Sequence, residues 1–177
     1  MVKSNALFSQ NYKESRTTEE NIINFFEEEG FNILEFDIQS EFEKCNEVCP
    51  IKVDHCGQKM PYARWTLYKN ITRPDLIVNY NKPLLIEIKH KNKKYIWVNS
   101  RDYKDYIKWN SILNIPLYIL IFVKSEGCYY LHKIEKDISN LDSLITRHDN
   151  NEVYDLEKKS LRFDNLKKLI NFLKELD

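Results

Sequence analysis

Apolar residues fall at helical spacing at Ile22, Ile23, Phe25 and Phe26, and the stripe stops at Gly30. Thr17 and Glu20 are spaced as a capping box, so the pattern predicts a helix starting at Thr17. FNILEFDI then reads as a strand. Residues 39–61 are polar and cysteine-containing and show no period. YARWTLY reads as a strand, and TRPDLIVNYNKPLLIEIKHK, residues 72–91, as two strands joined by a short polar turn. Ser100 to Leu113 predicts a helix with Tyr103, Tyr106, Ile107, Asn110 and Leu113 on one side. Pro116 opens LYILIFV, a continuous apolar run expected of a central strand covered on both faces. GCYYLHKI predicts an edge strand, and Asp164 is placed to cap a last amphipathic helix, NLKKLINFLKEL. The sum is one α/β domain over residues 1–177 with a central mixed β-sheet flanked by helices. It carries a polar insertion at about 39–61 and a C-terminal helix at about 164–176.

Three charges interrupt the strand pair. A turn centred on Asn81 sets Asp75 and Glu87, equidistant from it, directly opposite each other. Carboxylates that close repel unless a cation lies between them or one is protonated. Lys89 follows Glu87 by two positions and leaves the same face of the strand. The pattern is a carboxylate pair for a hard divalent ion, with an ammonium beside it. Mg²⁺ prefers one or two carboxylates, with water and phosphate oxygens completing its shell. The lysine would orient a water or neutralise charge developing on a phosphate. The bland alternative is a capped turn at Asp75 and solvent-facing alternation at Glu87 and Lys89.

Composition narrows the classes. Hydrophobic residues at 42% and aromatics at 13% describe a globular chain. Lys+Arg at 27 balance Asp+Glu at 27, so no bulk attraction to a polyanion or a membrane follows. The charges are segregated, however. Acids dominate from Glu14 to Glu47, whereas Lys89, Lys91, Lys93, Lys94, Arg101, Lys104 and Lys108 form a basic run. Such a run beside a metal site suits phosphate contacts, although it also reads as an ordinary solvated face. Tyr95 and Trp97 within it either stack on bases or pack the sheet. No run approaches the ~18 apolar residues of a membrane span, so a cytoplasmic protein with reduced thiols is expected.

Pro74-Asp75 followed by Glu87-Ile88-Lys89 resembles the PD-(D/E)xK nuclease signature. The likeness extends over roughly residues 17–123. Glu19 on a helix ending at Gly30-Phe31, and Ile115-Pro116 leading into an apolar strand, are similar in order to archaeal-type Holliday-junction resolvases. The resemblance implies a restriction-endonuclease-like fold and a Mg²⁺- or Mn²⁺-dependent DNA endonuclease. Asp75, Glu87 and the Ile88 carbonyl would bind metal, Lys89 would be the catalytic lysine, and Glu19 would reach the metal shell. A polar side chain on the following helix is also implied, with Tyr103, Tyr106 and Lys108 as candidates. The stretch between Gly30 and Asp75 is longer than compact resolvases need, which bears on junction specificity. Lys91, Lys93, Lys94, Arg101, Lys104 and Lys108 would contact DNA. Cutting two strands with one site per subunit implies a homodimer. The other class is a non-catalytic nucleic-acid-binding module retaining the nuclease fold.

Cys45, Cys49, His55 and Cys56 place four soft ligands close together in the polar insertion. A structural Zn²⁺ there would hold a segment without its own core, and Cys128 could replace His55. Free thiols are the favoured reading, because CxxC spacing is absent and adjacent His55 and Cys56 fit one tetrahedron poorly.

Overall fold

The computed structural model describes residues 2–35, 72, 74–135, 144–147 and 151–176. Helix α1 (Val2–Glu28) leads into β1 (Asn32–Glu35). A hairpin follows, of β2 (Leu76–Asn79) and β3 (Pro83–Lys91), then β4 (Trp97–Asn99), α2 (Ser100–Leu113) and β5 (Leu117–Val123). The remaining elements are β6 (Cys128–Lys133), β7 (Leu144–Thr146), β8 (Glu152–Asp155), β9 (Leu161–Phe163) and α3 (Leu166–Lys174). The main sheet has the order β1-β2-β3-β5-β6-β9, and β4-β8-β7 form a small second sheet. Among the described strands, only β3 and β5 run parallel; the crossover that parallel pairing demands contains α2. This is the expected α/β fold with a mixed central sheet flanked by helices, consistent with restriction-endonuclease-like architecture.

Alternation along β3 divides the core. Leu84, Ile86 and Ile88 pack with Ile22 and Phe26 of α1 and with Leu169, Ile170 and Leu173 of α3. Leu85 points the other way, into a cluster with Tyr103, Tyr106 and Trp109 of α2 and Val98 and Tyr154 of the small sheet. Strand β5 serves both sides, with Leu117, Ile119 and Ile121 in the second cluster and Tyr118 and Leu120 in the first. A strand covered on both faces needs apolar residues throughout, which explains LYILIFV. Each fully buried aliphatic or Phe side chain contributes roughly 1.5–3 kcal/mol.

Helix α1 ends where the pattern places its end. Gly30, at φ +86°, donates to Glu27 O, and Phe31 N donates to Phe26 O. The Phe31 ring then closes edge-on against Phe26, with centroids 5.1 Å apart. This is a Schellman end with its hydrophobic contact. The beginning differs from expectation. Thr17 lies inside α1, and its hydroxyl donates to Lys13 O at 3.0 Å; Thr18 does the same to Glu14 O. Hydroxyls in mid-helix satisfy themselves on the preceding turn, so a cap-like spacing does not require a cap.

Two further expectations are corrected. Strand β6 is not an edge, because β9 pairs with it through Tyr129–Phe163, Tyr130–Arg162 and Leu131–Leu161. The cap of α3 is Asn165, whose side chain accepts from Lys168 N, while Asp164 pairs with Arg162 and Lys168. The apolar face of α3 packs on its own sheet. YARWTLY and the last three residues of FNILEFDI lie outside the described residues. Among the described residues, no helix is long and apolar enough to cross a membrane.

Candidate active site

The β2–β3 ladder pairs Leu76 with Ile86 and Ile77 with Leu85. Continued by one residue, that register puts Asp75 opposite Glu87, as a turn centred on Asn81 predicts. Glu87 and Lys89 share the face of Leu85, toward α2. Helix α1 covers the opposite face. Glu19, half-buried on α1, therefore belongs to the helix that packs against Ile86 and Ile88, across the sheet from Glu87 and Lys89.

Asp75 lies just before β2 begins, and its Oδ2 accepts from the Ile88 backbone N–H at 2.6 Å. Within a strand a residue's N–H and C=O point to the same side, so the Ile88 carbonyl is directed toward Asp75 as well. Burial raises the Asp75 carboxyl above the usual range, opposed by the Ile88 N–H and by Lys89.

Glu87 is only 3% exposed. Burial pushes its carboxyl up to about 7; Lys89 pulls it down and Asp75 pushes it further up. One oxygen, Oε1, forms an ion pair with Lys89 Nζ. Burial disfavours the Lys89 ammonium, yet the Glu87 charge outweighs that penalty and holds it above the ordinary lysine range. The other oxygen, Oε2, is buried without a hydrogen-bond partner, as is the Tyr106 hydroxyl. Tyr106 stands near enough to lower the Glu87 pKa, although the two fall short of hydrogen-bond geometry. Burial, then the Glu87 charge, raises the Tyr106 phenol strongly, so it remains a proton-bearing donor.

Of the three α2 candidates, Tyr106 is the one beside Glu87. Tyr103 is engaged instead with His132 Nε2 at 3.1 Å, and Lys108 pairs with Asp105. Burial and desolvation push Tyr103 up to about 12 and hold His132 down at about 4.

The approach to Asp75 is tied to α2 by three bonds centred on Thr72. Its N–H donates to Asp105 Oδ2 at 2.9 Å, its hydroxyl to Asp102 Oδ1 at 3.1 Å, and its carbonyl accepts from Trp109 Nε1 at 3.0 Å. Sequence reasoning missed this clamp. Its available signal was Asp102, Asp105 and Trp109 at three- and four-residue spacing, which puts polar groups along a face that also carries Tyr106.

The basic residues separate into groups. Lys91 and Lys93 line a cleft next to Lys89, whereas Lys94 pairs with Glu126 and Glu157. Arg101 and Lys104 are exposed on α2. Cys45, Cys49, His55 and Cys56 lie outside the described residues. Cys128 is buried, and its thiol donates to a Glu126 carboxylate oxygen at 3.3 Å.

Among the described residues, no three His, Cys, Asp or Glu side chains are grouped to hold a metal. The donor set is thus two opposed carboxylates and a nearby carbonyl. That set fits Mg²⁺, which keeps several waters, better than an ion needing a full protein cage. The orphaned Glu87 Oε2 is the kind of buried oxygen that a cation would satisfy.

No protein-family model and no curated protein matches the chain. Among solved structures, the chain is similar to Hjc, a Holliday junction resolvase from Archaeoglobus fulgidus. The identity is 10% and the TM-score 0.48, covering 86% of this chain and 96% of that chain.

Proposed function

We propose that the protein is a Mg²⁺- or Mn²⁺-dependent endonuclease that hydrolyses phosphodiester bonds in DNA. One observation carries this reading: two carboxylates, half-buried Asp75 and buried Glu87, are opposed across a hairpin with Lys89 on the same face. Folding opposes two carboxylates in this way at a cost, and an ordinary structural role gives no return for it. The PD-(D/E)xK-like order of these residues agrees with the assignment.

Asp75, Glu87 and the Ile88 carbonyl would hold the cation, whereas Glu19, on the helix that covers the other face of the sheet, would not take part. When bound, the cation would supply a nucleophilic water at neutral pH and offset charge on the scissile phosphate. Asp75 is already oriented by the Ile88 N–H, so little reordering is needed at that side chain. Lys89, held by Glu87 in the protein alone, would turn toward the phosphate oxygens or the attacking water. Tyr106 would donate to Glu87 Oε2 or to a water there, fixing the carboxylate's orientation. Lys91, Lys93, Arg101 and Lys104 would contact the phosphate backbone. Cleavage of both strands of a duplex would take two copies of the chain, hence a homodimer.

The test is incubation of supercoiled plasmid and of a four-way DNA junction with the full chain in Mg²⁺, Mn²⁺ or EDTA. Nicking or cutting in either metal and none in EDTA is expected. Binding without cutting in both metals would leave a recognition module instead.

A further inference from the structure

Beside Lys89 lies a cleft of about 450 Å³, between the C-terminal end of β3 and the small sheet. Lys91, Lys93 and Arg147 line it together with Tyr95 and Trp97, and Lys89 is part of the same lining. The Tyr95 and Trp97 rings lie against each other at a tilt of 33°, with centroids 4.7 Å apart; Tyr95 is exposed and Trp97 half-buried. Asp102 is the carboxylate of the lining, and its oxygens already accept from Thr72 and Asn99.

We infer that this cleft takes one unpaired nucleotide of the DNA strand being cut, its base against Trp97 and Tyr95 and its phosphate on Lys91, Lys93 and Arg147. The identification as the strand being cut rests on the nuclease reading, because Lys89 joins the two sites. The lining chemistry selects the ligand. A phosphate group alone has no use for two adjoining aromatic rings in the lining. A neutral aromatic ligand has no use for so many cations. The volume falls within the range of small-ligand sites and exceeds what a phosphate fills. A base inside a duplex is stacked and paired and cannot enter a cleft, so the nucleotide must be unpaired. Aromatic stacking accepts any base, whereas the cations read only the backbone. The crowding of like charge points the same way: burial disfavours the Lys91 ammonium, and repulsion from Lys89 and Arg147 lowers it further. An anion in the cleft relieves that repulsion.

The site reaches across the two sheets. Arg147 follows β7, and its backbone N–H donates to Asn151 O, closing the approach to β8. The small sheet thus brings a cation and, through β4, an indole to the end of the catalytic strand.

The experiment uses the full chain in Ca²⁺ with two DNA duplexes, one fully paired and one carrying a single unpaired 2-aminopurine nucleotide. The unpaired duplex should bind about tenfold more tightly, with 2-aminopurine fluorescence quenched by stacking. Tyr95→Ala and Arg147→Gln should each lose most of that preference, and Trp97→Phe should keep it. Because Tyr95 is exposed, its removal should leave the melting temperature unchanged, which separates loss of binding from loss of folding. Equal affinity for the two duplexes, or a preference untouched by both Tyr95→Ala and Arg147→Gln, would overturn the inference. Cleavage of both duplexes in Mg²⁺ is scored alongside. Cutting without the preference discards the cleft and leaves the nuclease reading standing; the preference without cutting does the reverse.

Discussion

Asp75 and Ile88 are joined by a hydrogen bond from the backbone of one strand to the side chain that precedes the other, Ile88 N–H to Asp75 Oδ2 at 2.6 Å. It fixes a carboxylate whose neighbour across the hairpin is a second carboxylate. Asp75→Asn should preserve the shape but exchange an acceptor for an amide. We expect metal-dependent cleavage to fall by at least two orders of magnitude, with DNA affinity in Ca²⁺ within a few-fold of wild type. The check is single-turnover cleavage beside a binding isotherm.

The Glu87 carboxyl gives a stability prediction with a definite sign. Its pKa is raised from an ordinary 4.5 to about 7, so in that window the folded chain holds a proton the unfolded chain has lost. Glu87's contribution to the stability of the metal-free protein then falls as pH rises through the window, with a slope approaching about 1.4 kcal/mol per pH unit, and opposes the rise from His132, which burial holds down at about 4. Asp75, also raised, adds in the same direction. Glu87→Gln removes this contribution, so the variant's stability relative to wild type should increase from about pH 5 to about pH 7. Urea unfolding at about pH 5 and about pH 7 in EDTA measures both.

The Thr72 clamp should act on rate more than on binding. Asp105→Ala removes the acceptor of the Thr72 N–H and the partner of Lys108. Leaving a part-buried donor unsatisfied costs roughly 1–3 kcal/mol, and the turn carrying Asp75 loses one of its ties to α2. The expected result is a lower melting temperature and a lower kcat with KM changed little. Lys108→Ala, which leaves the Thr72 bond in place, should change neither appreciably.

The salt dependence of DNA affinity separates the basic residues. Replacing Lys91, Lys93, Arg101 or Lys104 should reduce the slope of log K against log salt by about 0.9 for each real phosphate contact. Lys94 is committed to Glu126 and Glu157, so Lys94→Ala should change the slope less. A titration in Ca²⁺ reads this directly.

Much of this arrangement is legible in the sequence because it depends on local spacing. A short polar turn between two apolar runs determines the β2–β3 register, and the register determines that Asp75 meets Glu87. The bounds of α2 and the central place of β5 follow equally from period and apolar content. What escapes is set by contacts distant in sequence. The strands WVN, LIT, EVYD and LRF are too short to display a period, so the small sheet and the pairing of β9 on β6 leave no pattern. Thr17 and Glu20 look like a cap because a cap and a mid-helix threonine share the same residue type. The Thr72 clamp joins residues more than a helix apart in the chain, and nothing local marks Thr72 as its centre.

The central claim is that Asp75, Glu87 and Lys89 form a metal-dependent phosphodiesterase site. Single-turnover cleavage of one DNA substrate by wild type, Glu87→Gln and Lys89→Ala, each in Mg²⁺ and in EDTA, tests it most directly when affinities in Ca²⁺ are measured alongside. The account predicts cutting by wild type in Mg²⁺ only, loss of at least two orders of magnitude in rate for both variants, and affinities within a few-fold of wild type. Cutting that persists in Glu87→Gln at the wild-type rate, or that proceeds in EDTA, would contradict it.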